Sequence, residues 1–148
     1  MDNPKLPGRN FIFVPSILLL IGVVINIFTS VPMLLNAAYW DAVWPIFIPW
    51  SVWYSFVLLS SAYTLFLAIN GIRFRNILKK TEFLFALGII SLAIALLVLS
   101  FNLMVIGASL PVFAGLLLPI LYVIGAHKNR QYRMEMGDAP EIERANDD

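Results

Sequence analysis

Residues 10–40, 42–72 and 83–126 contain no Asp, Glu, Lys, Arg or His. A water-soluble fold needs charged positions along almost any stretch of such length to face solvent. Here 60% of the chain is hydrophobic and only 13% is charged, outside the range of soluble domains. Crossing a hydrocarbon layer about 30 Å thick takes roughly 20 apolar residues per helix, so four crossings occupy about 80 of the 148 residues. The sequence therefore predicts an all-α integral membrane protein with four transmembrane helices in an antiparallel bundle. The spans are placed at about 11–35, 46–69, 83–104 and 109–126. A tail at 1–10 precedes them, and a charged, disordered tail at 127–148 follows.

Punctuation residues set these limits. The first segment is too long for the apolar part of a cleaved signal, which covers about 7–15 residues. Pro15 is expected in the first helical turn, where its missing N–H costs nothing, and Pro32 where the helix ends. Tyr39, Trp40, Trp44, Phe47, Trp50, Trp53 and Tyr54 include every tryptophan of the chain. Rings with one apolar face and one polar edge collect at the headgroup level, so this stretch reads as an interfacial belt. Pro45 and Pro49 make its first part a loop or a short surface helix. Asn70 and Gly71 are expected to end the second span, with Thr81 or Lys80 opening the third. Asn102, Gly107, Ala108 and Ser109 supply the next turn, and Ser109 and Pro111 begin the fourth span. Pro119 should bend that helix near its middle.

Orientation follows from Lys and Arg, which flank spans on the cytoplasmic side. Lys5 and Arg9 precede the first span, Arg73, Arg75, Lys79 and Lys80 join the second and third, and Lys128, Arg130 and Arg133 follow the fourth. The other two loops contain neither residue type. Four spans put all three basic groups on one side, so both termini are expected in the cytoplasm of a multi-pass cell-membrane protein, with 36–45 and 102–109 outside. The formal net charge of +1 hides this asymmetry. Anionic lipid accounts for the basic groups, and no nucleic-acid partner is implied.

Chemistry-bearing residues are few. There is no cysteine, which excludes disulfides, thiolate metal sites and thiol nucleophiles. The serines lack a general base within the spans, and no pair of intramembrane carboxylates exists, so no catalytic, cofactor or metal residue is assigned. His127 is a lone histidine beside Lys128. Asp41 is the only charge on the outer side. Framed by Trp40 and Trp44, it is the candidate for recognising a cationic ligand, or it keeps the loop in water. Asn26 is the most polar side chain well inside a span; it either bonds a neighbour such as Ser91 or lines a polar cavity. Two small-residue stripes, Ser60, Thr64 and Ala68 on the second span and Gly88, Ser91 and Ala95 on the third, could meet as a packing face.

The run LLPILYVIGAHKNR from Leu117 and the basic hairpin RNILKKTEFLFALGII resemble small uncharacterised four-span membrane proteins of Gram-positive bacteria. The resemblance covers the second half of the chain and implies an envelope location without an activity. Small multidrug exporters share the span number, but carry a glutamate in their first span that 11–35 lacks. Claudin-like proteins share the topology, but their loop cysteines are missing. The expected function is non-enzymatic: an accessory or regulatory subunit, or a homo-oligomer, acting through helix contacts with other membrane subunits or itself in the bilayer. The alternative is a small transporter or channel component whose polar path is lined by Asn26, Ser60, Thr64 and Ser91.

Overall fold

A computed structural model of the chain describes residues 6–43, 47–105 and 115–136. About 90% of the described residues are helical and none is in a strand. Helix α1 spans Arg9–Leu35, the short α2 Ala37–Val43, and α3 Trp50–Phe74. One turn of 3-10 helix at Leu78–Lys80 leads into α4 (Thr81–Val105), and α5 spans Leu117–Met136. Arg9–Leu35, Trp50–Phe74 and Leu78–Val105 are long and apolar enough to cross a membrane. Outward-facing Phe28, Leu35, Leu59 and Met104, all more than 70% exposed, would be untenable in water and fit a surface solvated by lipid.

Helix α1 packs against both α3 and α5, and α4 packs against α5 and more sparingly against α3. Successive long helices run in opposite directions: the start of α1 meets the end of α3 and the later part of α5, and the start of α4 meets Tyr122 of α5. One end therefore gathers Arg9, Arg73, Arg75, Lys79, Lys80, Lys128, Arg130 and Arg133. The other gathers α2 and the aromatic residues at the start of α3.

The basic half closes around one ring. Tyr122 is 0% exposed, and each of the other three long helices offers it a small residue. A Cβ on Gly71 would lie 2.8 Å from Tyr122 Cε2 and would also collide with Ser16 Oγ; one on Gly88 would lie 3.1 Å from Tyr122 Cδ1. Without attraction between apolar surfaces in lipid, helices associate where small residues let backbones approach and dispersion contacts accumulate. Ile12, Leu67, Leu84, Leu87 and Ala126 complete this core around Tyr122. The Ser16 hydroxyl donates to the Ile12 carbonyl at 2.7 Å, so its proton is satisfied within α1.

A second close approach lies nearer the basic end. The Gly8 N–H donates to Asn129 Oδ1 at 2.6 Å, and a Cβ on Gly125 would sit 2.7 Å from Phe11 Cβ and 2.8 Å from the Phe11 carbonyl carbon. A Cβ on Gly8 would collide with the Gly125 carbonyl oxygen. Around this contact, Lys128 lies 4.6 Å from the Phe11 ring centroid and Arg75 4.1 Å from that of Phe13. Arg130 pairs with Glu82 at 2.9 Å. An exposed ion pair such as Arg130–Glu82 adds little, whereas the backbone contact admits no substitute.

Several boundaries differ from the sequence-based expectation, each for a physical reason. Helix α3 continues past Asn70 and Gly71 to Phe74: Asn70 Nδ2 donates back to the Phe66 carbonyl at 2.7 Å, and Gly71 serves a close contact instead of a cap. Helix α1 begins at Arg9, so Pro15 lies beyond the first turn. Residues Gly115 and Leu116 form a turn within the segment predicted as one span over 109–126. Helix α5 starts after it, which puts Pro119 in the first turn, where it bends nothing. At the other end α5 runs ten residues past 126, so 127–136 is helix and not disordered tail. The described apolar part of α5, 117–126, rises only about 15 Å. The predicted caps Ser109 and Pro111, and the acidic residues 137–148, lie outside the described residues.

Gly125→Ala should lower the melting temperature of the detergent-solubilised protein, at an overpacking cost of about 1–3 kcal/mol, because the new methyl meets the α1 backbone. Gly22→Ala, whose Cβ would meet nothing within 4 Å, should leave it unchanged or raise it through the better helix propensity of alanine. Equal melting temperatures for the two variants would refute the contact.

Candidate functional site

Toward the aromatic end the same helices no longer meet on a central ring. Side chains from α1, α3, α4 and α5 instead line a cleft of about 260 Å³. That volume holds several waters or a small solute. Its polar wall is formed by Asn26 of α1, Ser60 and Thr64 of α3, and Ser91 and Asn102 of α4; Leu18, Val23 and Ile94 are among its apolar neighbours. None of the described lining residues is ionisable.

The proton positions divide these groups. Ser60 Oγ donates to the Val57 carbonyl at 2.8 Å, and Thr64 Oγ1 donates to the Ser60 carbonyl at 2.8 Å. Both hydroxyls spend their proton on their own helix and present only lone pairs. Asn26 and Asn102 make no side-chain hydrogen bond to a described residue, and each amide carries two donors and an acceptor. Ser91 is only 6% exposed and would ordinarily bond back to the carbonyl four residues earlier. That carbonyl, of Leu87, accepts the hydroxyl of Tyr63 at 2.6 Å.

The candidates read from sequence are thus separated. Asn26, Ser60, Thr64 and Ser91 come together, with Asn26 exposed on the cleft and not bonded to Ser91. The two small-residue stripes do not pack directly: Ser60 and Thr64 stand across the cleft from Ser91 and Ala95, while Gly88 is taken by Tyr122 and Val123 of α5. Asp41 is elsewhere. It is half-buried, and its Oδ1 accepts the backbone N–H of Trp50 at 2.8 Å. Pro49, at the N-cap of α3, has no side chain to offer, so Asp41 supplies both the acceptor and the negative charge that a helix N-terminus favours. The Trp40 ring packs edge-on against Tyr39, with centroids 5.4 Å apart, and Trp44 lies outside the described residues. His127 is exposed, 5.9 Å from the Phe85 ring.

Sequence reading missed Asn102, which it placed in a turn; α4 continues through Val105, so the amide projects from helix into the cleft. It also missed Tyr63, whose role depends on a contact between α3 and α4 that no spacing reveals. Beside the cleft, Phe101 is buried with its ring 3.5 Å from that of Trp53 and 5.8 Å from that of Phe47. These rings tie the aromatic end of α4 to that of α3. Among the described residues, no three His, Asp or Glu side chains are grouped to hold a metal ion.

No protein-family model, curated protein or solved structure matches the chain.

Asp41→Ala should destabilise the protein by about 0.5–2 kcal/mol through loss of the α3 cap, read as a lower melting temperature. Asp41→Asn, which keeps an acceptor and loses the charge, should fall between. A wild-type melting temperature for Asp41→Ala would remove the capping role.

Proposed function

We propose that the chain is a four-span membrane protein of the cell membrane with both termini cytoplasmic, and that it works as a small transporter or channel component. The observation that carries this reading is the cleft, which gathers polar side chains from three helices at a depth where the surrounding surface is apolar. Unpaired amides and hydroxyls are costly in hydrocarbon; they become tolerable when a hydrated or solute-filled space satisfies them. Orientation is supported by the basic residues, which collect at one end of the helices and would face the cytoplasm. The cleft then lies on the outer side of the Tyr122 core.

A second reading, an accessory subunit or homo-oligomer acting through contacts, is favoured by α5. Its last ten residues extend past the apolar core as a helix carrying Lys128, Arg130, Arg133 and Glu135, a surface that a partner could engage.

Phosphatidylcholine liposomes containing the protein should reswell faster in glycerol or urea than protein-free liposomes, and Thr64→Leu or Ser91→Leu should return the rate to the protein-free value. Identical rates with and without wild-type protein would rule out a path, and co-purification of a stoichiometric partner would then favour the accessory reading. Reporters fused to each terminus should both report cytoplasm; an outward terminus would overturn the topology.

A further inference from the structure

We infer that the cleft selects uncharged solutes able both to donate and to accept hydrogen bonds, polyols and amides by chemical class, and that Ser91 contacts them because Tyr63 has released its hydroxyl from the helix. This rests on the reading of the cleft as a solute site.

The selectivity follows from what lines the space. An ion would exchange its hydration for walls that hold no opposite charge, at a desolvation cost that dipoles of two amides and three hydroxyls do not offset. An apolar solute would leave the two amides and Ser91 unsatisfied, each at the cost of an unmade hydrogen bond. A neutral solute with both kinds of group meets the donors of Asn26, Asn102 and Ser91 and the lone pairs of Ser60 and Thr64. The cleft thus discriminates in both directions, against charge and against the lack of it in any polar form.

Ser91 is set apart by its acceptor. The Leu87 carbonyl has two lone pairs. The helix takes one through the Ser91 N–H, and the Tyr63 hydroxyl takes the other at 2.6 Å. The Tyr63 hydroxyl thus stands where a serine hydroxyl bonds back to its helix at Ser16, Ser55, Ser61 and Ser100, and Ser91 makes no such bond to a described residue. Its residue is more than nine-tenths buried, it has no partner among the described residues, and it lines the cleft. Its hydroxyl is therefore within reach of a solute in the cleft. Tyr63 is accordingly a positioning residue: it acts through Ser91 and not by touching the solute.

The natural absence of cysteine makes single-cysteine variants of the full chain clean probes. Ser91→Cys and Thr64→Cys would be reacted with methyl methanethiosulfonate in phosphatidylcholine vesicles, whose headgroups carry no hydrogen-bond donor, so protection can come only from added solute. Ile90→Cys, on the lipid-facing side of α4, is the reference, because thiolates form poorly in apolar surroundings. Both cleft thiols should react at least ten times faster than the reference, and glycerol and urea should slow them while potassium chloride of equal osmolarity does not. If both react as slowly as Ile90→Cys, or if the salt protects equally, the inference fails; should Ser91→Cys not fold, Thr64→Cys decides. Protection without liposome swelling would overturn permeation yet uphold the site. For Tyr63, the glycerol concentration that half-protects Thr64→Cys should rise about fivefold, the loss of one hydrogen bond, on adding either Tyr63→Phe or Ser91→Ala. Adding both should raise it no further; multiplicative effects would show that Tyr63 does not act through Ser91.

Discussion

Tyr122 sits where three other helices meet it with a glycine or a serine, and the rest of the assembly is arranged by that contact. In lipid the apolar surfaces of helices gain little by meeting one another, so association depends on dispersion and on closeness. A ring supplies many contact atoms, but it can be surrounded only where the neighbouring helices lack bulk. Ser16, Gly71 and Gly88 each fall at the level where their helix crosses Tyr122. The Gly8 and Gly125 contact, one turn further along α5, fixes the angle at which α1 enters. Together these points hold the basic ends of four helices within backbone distance.

The cleft is a consequence of the same economy of bulk applied one or two turns away. Toward the aromatic end, the facing positions are again small or short, Gly22, Ser60, Thr64, Ser91 and Ala95, but no ring is inserted among them. Tyr63, on the same helix as Ser60 and Thr64, donates its hydroxyl to the Leu87 carbonyl. That bond occupies the carbonyl to which Ser91 would otherwise turn, an effect that a purely apolar packing would lack.

The long helices were legible in the sequence because hydrocarbon imposes a length and forbids charge, and 11–35 and 83–104 agree with α1 and α4 to within two residues at each end. Where turn residues guided the reading, it went astray. Asn70 and Gly71 look like a helix end, yet the amide bonds back to its own helix and the glycine faces Ser16 and Tyr122. Asn102 reads as a turn on the same grounds, yet it lies within α4. In water, asparagine and glycine terminate helices because solvent competes for the backbone; in lipid that competition is absent, and the same residues persist inside helices as contacts. Composition identified Asn26, Ser60, Thr64 and Ser91 as polar groups inside spans, but their convergence depends on helix rotation, which a hydrophobic surface of nearly uniform character does not encode.

Asp41 shows the converse at the membrane boundary. As the sole charge between the first two basic groups, it invites a role in recognition, and its tryptophan neighbours strengthen that impression. The structure uses it to replace what Pro49 cannot provide at the start of α3. Around the first turns of α3, Trp50 stacks on Tyr54 and Trp53 on Phe101, while the Val52 and Trp53 N–H groups donate to the Pro49 carbonyl. The carboxylate on α2 accepts the N–H of Trp50, the first of the helix. Charge at this end is spent on closing the backbone of one helix, which is consistent with a cleft whose own walls are neutral throughout.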